Sequence, residues 1–102
     1  MFIILYSWKI KSDKEQQFID AWAEITEYFR LEFNSLGSRL HRGNDGNFYA
    51  YAQWASEEAR ENAFTKSEKI EAGRKMAEAV IERFQPIQLE MISDFLIFPQ
   101  NE

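Results

Sequence analysis

Residues 37–54, GSRLHRGNDGNFYAYAQW, read as two strands folded about Asn44-Asp45-Gly46. Gly46 takes a positive φ at no steric cost, and Asn44 and Asp45 tolerate turn geometry. Loop length then decides which residues share a face, because a one-residue slip inverts every side chain. A two-residue Asp45-Gly46 loop sets His41 opposite Ala50 and Leu40 opposite Tyr51, mixing charged and apolar groups on both faces. A three-residue loop ending in a left-handed glycine bulge sorts them: Leu40 opposite Ala50 on one face, Arg39 and His41 opposite Tyr51 and Tyr49 on the other. The second register is expected. Its apolar face carries Leu40, Phe48, Ala50, Ala52 and Trp54, with small alanines that let a helix approach closely.

Before the hairpin, Phe2 to Ile10 is β-branched and aromatic on both alternations, the pattern of a strand covered on both faces. Ser12-Asp13 then offers an N-cap, with Glu15 and Gln16 in the first turn. Phe18, Trp22, Ile25, Phe29 and Phe33 recur at spacings of three and four and predict a helix to about Asn34, with Gly37 just past its end. After the hairpin, Ser56 caps a short helix, SEEARENAFTKS, and Ser67 a longer one that Pro86 ends. Ile70, Gly73 or Arg74, Ala77, Val80 or Ile81, and Phe84 trace the buried stripe of that second helix. Ile87 to Phe98 reads as a last strand, again apolar on both alternations.

The order is β-α-β-β-α-β with the second crossover split into two helices: an α+β, ferredoxin-like arrangement with an antiparallel sheet, occupying 1–102 as a single domain. Helices cover one face of such a sheet. The other face would expose apolar residues of the first and last strands, so a homodimer with two sheets packed face to face is expected.

Composition narrows the function. A formal net charge of −5 and a pI near 4.9 argue against nucleic acid, which needs a basic patch. Without cysteine there are no disulfides, thiol catalysis, iron–sulfur clusters or thiolate zinc sites. The opening MFIILYSWKIK has no basic leader or small-residue cleavage site, and no apolar run spans a bilayer, so a cytoplasmic protein without membrane partners is expected. Nine Phe, three Trp and four Tyr exceed what a core of this size requires, which suits a pocket for a flat apolar ligand or a large subunit interface. No phosphate loop, metal-ligand spacing or Ser-His-Asp set is present.

From the first strand through GSRLHRGNDGNFYAYAQW, the junction Trp54-Ala55-Ser56-Glu57-Glu58-Ala59 and the last strand, the chain resembles the antibiotic biosynthesis monooxygenase domains of the dimeric α+β barrel superfamily. Families similar to it include cofactor-free oxygenases of polycyclic phenols and quinone precursors, haem-degrading enzymes and signalling proteins, so the resemblance is specific for fold and not for activity. Oxygenase members place a Trp at the end of the third strand, an Arg in the last helix, an Asn on the third strand and a Tyr in the short helix. Trp54 matches the Trp and Arg74 the Arg; Ala50 stands at the Asn position, and the short helix offers Arg60, Asn62 or Phe64 in place of Tyr. The Asn on strand one and the helical His of haem-degrading members have no counterpart.

The resemblance therefore implies a homodimeric, cofactor-independent monooxygenase of small electron-rich phenol- or quinol-like compounds, using no metal or flavin. Trp54, Asn62 and Phe64 would bind substrate and Arg74 would stabilise developing charge. His41, the only histidine, is the side chain suited to moving a proton near neutral pH. The alternative is a non-catalytic dimeric ligand-binding or stress-associated protein, in which Trp54 fills the core and Arg74 pairs with Glu71 or Glu78.

Overall fold

The structure, a computed structural model, describes residues 1–98. Its elements in chain order are β1 (Phe2–Ile10), α1 (Glu15–Phe33), β2 (Ser38–Arg42), β3 (Phe48–Trp54), α2 (Glu57–Lys66), α3 (Glu71–Ala79), β4 (Val80–Arg83) and β5 (Ile87–Leu89). All pairings are antiparallel, in the order β2-β3-β1-β4 with β5 also on β1, which is the ferredoxin-like arrangement.

The hairpin has the three-residue loop. Leu40 faces Ala50, Arg39 faces Tyr51 and His41 faces Tyr49. Gly43 donates to the Asn47 carbonyl at 2.8 Å, and Gly46, at φ 85°, closes the turn onto the Gly43 carbonyl at 3.0 Å. The Asp45 carboxylate accepts from the Asn47 N–H at 2.9 Å and from the Tyr49 hydroxyl, which pins the tip to the strand. These bonds hold the Asp45 carboxyl below its usual range, Tyr49 contributing most.

Five expectations are corrected. Ser12 and Asp13 form a turn, closed by Lys14 donating to the Lys11 carbonyl at 3.0 Å, and α1 begins after it with no side-chain cap. The stop of α1 is Asn34, left-handed at φ 56°, whereas Gly37, at φ 98°, turns the chain into β2. Ser67 ends α2 instead of capping α3. Finally, α3 stops at Ala79, and Val80–Arg83 becomes β4, paired with Trp8 to Ile10 of β1. The free edge of β1 decides this: unpaired strand N–H and C=O groups are costly, and β-branched Val80 and Ile81 suit a strand. Pro86, lacking an N–H, separates β4 from β5 along that edge. Of the long last strand only Ile87–Leu89 forms, and residues 90–98 are outside regular structure.

The helices cover one sheet face. Phe18, fully buried, wedges between Trp8 and Phe48 with ring centroids 5.1 and 5.4 Å away. A second cluster joins Phe2, Ile4, Ala52, Trp54 and Ala63. The two helices flanking the first cluster are tied by Lys14 to Glu78 at 3.2 Å and by Gln17 to the Lys75 carbonyl at 2.9 Å. Ser56 caps α2 as expected, accepting from the Ala59 N–H at 3.0 Å.

Candidate functional site

Between the sheet and the helices lies a cavity of about 250 Å³. Strand alternation brings two pairs of side chains to it, Tyr6 and Trp8 from β1 and Ala52 and Trp54 from β3. Helical spacing supplies Trp22, Ile25, Thr26 and Phe29 from one stripe of α1. Phe64 of α2, Gly73 and Met76 of α3 and Arg83 of β4 complete the wall, with Ser35 and Ser38. The volume lies just below the usual range for organic ligands, ~300–1,000 Å³, which favours a small ring system over a large polycycle.

One wall is aromatic. Phe29 and Phe64 stack with centroids 5.3 Å apart and planes 7° from parallel, and Trp54 meets Phe29 edge-on at 5.8 Å. Trp54 is only 3% exposed, so it is at once a core residue and a cavity wall. Ala52 and Gly73 keep the space open; a Cβ added at Gly73 meets nothing within 4 Å.

The polar groups sit together. Arg60 of α2 donates from Nε to the Tyr6 hydroxyl oxygen at 2.8 Å and lies over the Phe64 ring, 4.3 Å from its centroid. Arg83 is opposite Trp8 across the β1–β4 ladder and therefore on the same face. Burial pushes the Tyr6 hydroxyl above its ordinary range; the Arg60 hydrogen bond and the charges of Arg60 and Arg83 oppose that shift. Tyr6 is thus a neutral O–H donor at pH 7. Trp8 Nε1 and Ser38 Oγ are buried without a hydrogen-bond partner, although both residues line the cavity.

Of the residues singled out by sequence, Trp54 and Phe64 line the cavity. Asn62 is exposed and lies on the outer side of α2, in a shallow surface depression with Ser56 and Glu58. His41 is exposed on β2. Arg74 does not line the cavity: it binds Glu71 and Glu78 on its own helix, the latter at 3.0 Å, with its side chain 61% exposed. Those bonds lower the Glu71 carboxyl, while the Glu78 carboxyl is lowered chiefly by Gln17 and Lys14.

In the sequence, Tyr6 and Trp8 are aromatics of a strand apolar on both alternations, and nothing there distinguishes Arg83. A hydroxyl on the apolar alternation of β1 was the available signal for Tyr6. Arg83 gave none while 80–84 read as helix, because its face depends on pairing with β1. Among the described residues no group of three or more His, Asp or Glu is placed to hold a metal ion, and no helix is long and apolar enough to cross a membrane.

A family model described as antibiotic biosynthesis monooxygenase matches residues 1–76. Solved structures share the fold at low identity. A variant of SnoaB, a cofactor-independent oxygenase from Streptomyces nogalater, aligns with TM-score 0.77 at 11% identity, covering 92% of this chain and 95% of that one. A structure described as an antibiotic biosynthesis monooxygenase aligns with TM-score 0.74 at 14% identity over 91% of this chain and 100% of that one. Rv0793 from Mycobacterium tuberculosis gives 0.73 at 10% identity, with 93% and 98% covered. No curated protein sequence matches the chain.

Proposed function

Because the chain belongs to the antibiotic biosynthesis monooxygenase family, we propose that it oxidises a small electron-rich hydroxyaromatic compound with molecular oxygen, the substrate supplying the electrons. The aromatic-walled cavity ending in Trp54 carries this reading. In such a reaction an activated CH₂ loses a proton, and the carbanion passes one electron to O₂. Superoxide and the carbon radical combine to a hydroperoxide, which expels water to leave a carbonyl. Carbon is oxidised by four electrons, O₂ is reduced by four, and one oxygen atom ends in the product and one in water. The protein's part is to orient the ring, exclude water and stabilise the anion.

Trp54 and Phe64 would hold the ring. Arg74 and His41 have no part in this reading, since neither lines the cavity, and no carboxylate lines it either. The substrate therefore ionises before or on binding, with water as base. A homodimer is part of the proposal: Ile92, Phe95, Ile97 and Phe98 are 71–92% exposed, and a second copy would cover them. Ala50 at the family's Asn position supports the other reading, a binding protein without turnover. Oxygen uptake over a panel of anthrones, quinols and flavonols separates them. Turnover of one member that Gly73→Leu abolishes supports the oxygenase; no turnover across the panel leaves the binding protein.

A further inference from the structure

We propose that the cavity carries a built-in anion subsite, formed by Tyr6, Arg83 and the Trp8 indole N–H with Arg60 behind Tyr6, that selects aromatic ligands bearing an ionised oxygen. This deepens the reading of the cavity as a ligand site given above; it does not depend on oxidation.

The argument starts from charge balance. The chain holds seventeen acidic against twelve basic residues, so carboxylates are abundant. Arg30, Arg42, Arg74 and Lys14 each find one. Arg60 and Arg83, like Arg39 and the other five lysines, form no ion pair among the described residues; what sets these two apart is that their charges act on Tyr6 at the cavity. Arg60 is partly buried, and a partly buried guanidinium without a counter-ion is unfavourable unless something negative completes it; Arg83 is exposed and free to meet a ligand at the cavity wall.

Hydrogen-bond capacity gives the second, independent line. Trp8 is 96% buried, given its 4% exposure, and its Nε1–H finds no acceptor in the protein. An indole N–H can only donate, and leaving it unpaired costs ~1–3 kcal/mol. Arg60 occupies one lone pair of the Tyr6 oxygen, which leaves the phenolic proton to be donated elsewhere. Arginine has no acceptor. Tyr6, Trp8 and Arg83 thus present donors from the wall, Arg60 stands behind Tyr6, and no carboxylate of the wall opposes them. An oxygen anion accepts from several donors at once, and charge-assisted bonds are the stronger kind. The ring it belongs to would lie against Trp54 and Phe64.

The test is calorimetric titration with 2-naphthoate and with its neutral isostere 2-naphthamide, neither of which reacts with oxygen. Naphthoate should bind at least tenfold tighter than naphthamide. Arg83→Met should remove most of that preference, Arg60→Met part of it and Tyr6→Phe should reduce it severalfold, each weakening naphthamide, whose carbonyl meets the same donors without a charge, far less than naphthoate. Arg83 is exposed on a strand, so its variant folds even if loss of the Arg60–Tyr6 bond proves disruptive. Equal binding of the two probes overturns the proposal, as does a preference that survives Arg83→Met together with Tyr6→Phe. If neither probe binds, the cavity is no ligand site and this proposal falls with the functional reading. Anthrone oxidation without naphthoate preference sinks the subsite alone; preference without any turnover sinks the oxygenase alone.

Discussion

Trp54→Ala should separate the two duties of one side chain. The indole is 3% exposed, packs edge-on to Phe29 at 5.8 Å and to Phe64 at 6.3 Å, and walls the cavity. Truncating a buried Trp removes its transfer free energy and leaves a void, together ~3–5 kcal/mol. For a domain of this size each kcal/mol moves Tm by ~4–8 °C, so a loss of ~12–40 °C follows. That is a large share of a total stability of ~5–15 kcal/mol, and binding should be measured near 10 °C, close to maximum stability. Phe18→Ala is the matched control: Phe18 is fully buried between Trp8 and Phe48 but does not line the cavity. Urea unfolding followed by circular dichroism should show comparable losses for both variants. Titration with 2-naphthoate should show a weaker Kd in Trp54→Ala alone, by ~0.5–1.5 kcal/mol or about two- to tenfold, the worth of one aromatic contact. Equal loss of affinity in both variants would mean that binding tracks general stability and that Trp54 contacts no ligand. A stability loss under ~1 kcal/mol would refute the core assignment itself.

Gly73→Ala should raise stability by ~0.4–1 kcal/mol through a less flexible unfolded chain, whereas Gly73→Leu should project into the open space and abolish naphthoate binding without unfolding the protein. Stability should be flat between about pH 5 and pH 9. Below that, Glu71, Glu78 and Asp45, whose folded carboxyls titrate lower than in the unfolded chain, lose their contribution as pH falls through their folded values. Above it, Tyr6, raised by burial, loses its contribution as pH rises through its folded value; a urea midpoint that climbs toward pH 3 or pH 11 would contradict this. Phe95→Asp should shift sedimentation from dimer to monomer, and a soluble monomer for the unaltered protein would remove the dimer from the reading. Arg74→Met should slightly lower the melting temperature and leave ligand affinity unchanged, because its partners lie on its own helix.

Amino-acid order alone was enough for the hairpin and for the buried stripe of the first helix, though not for the signals at its ends. Asn44-Asp45-Gly46 and the alternation on either side define the register locally, and the stripe from Phe18 to Phe33 defines α1 by its period. Even the face on which Trp54 lies follows from that register. The end of α3 was not legible, because Val80, Ile81 and Phe84 fit a helical stripe as well as a strand. The unpaired edge of β1, some seventy residues earlier in the chain, settles it. The polar end of the cavity has the same origin: Tyr6, Arg60 and Arg83 come from a central strand, a short helix and an edge strand, and no spacing relates them. Arg74 shows the converse, since its helical neighbours Glu71 and Glu78 were visible in sequence, but whether it would turn to them or to a ligand depended on which face α3 lays on the sheet. Local rules fix periodicity and turns; which charges are left unpaired beside an apolar cavity is decided only when distant elements pack.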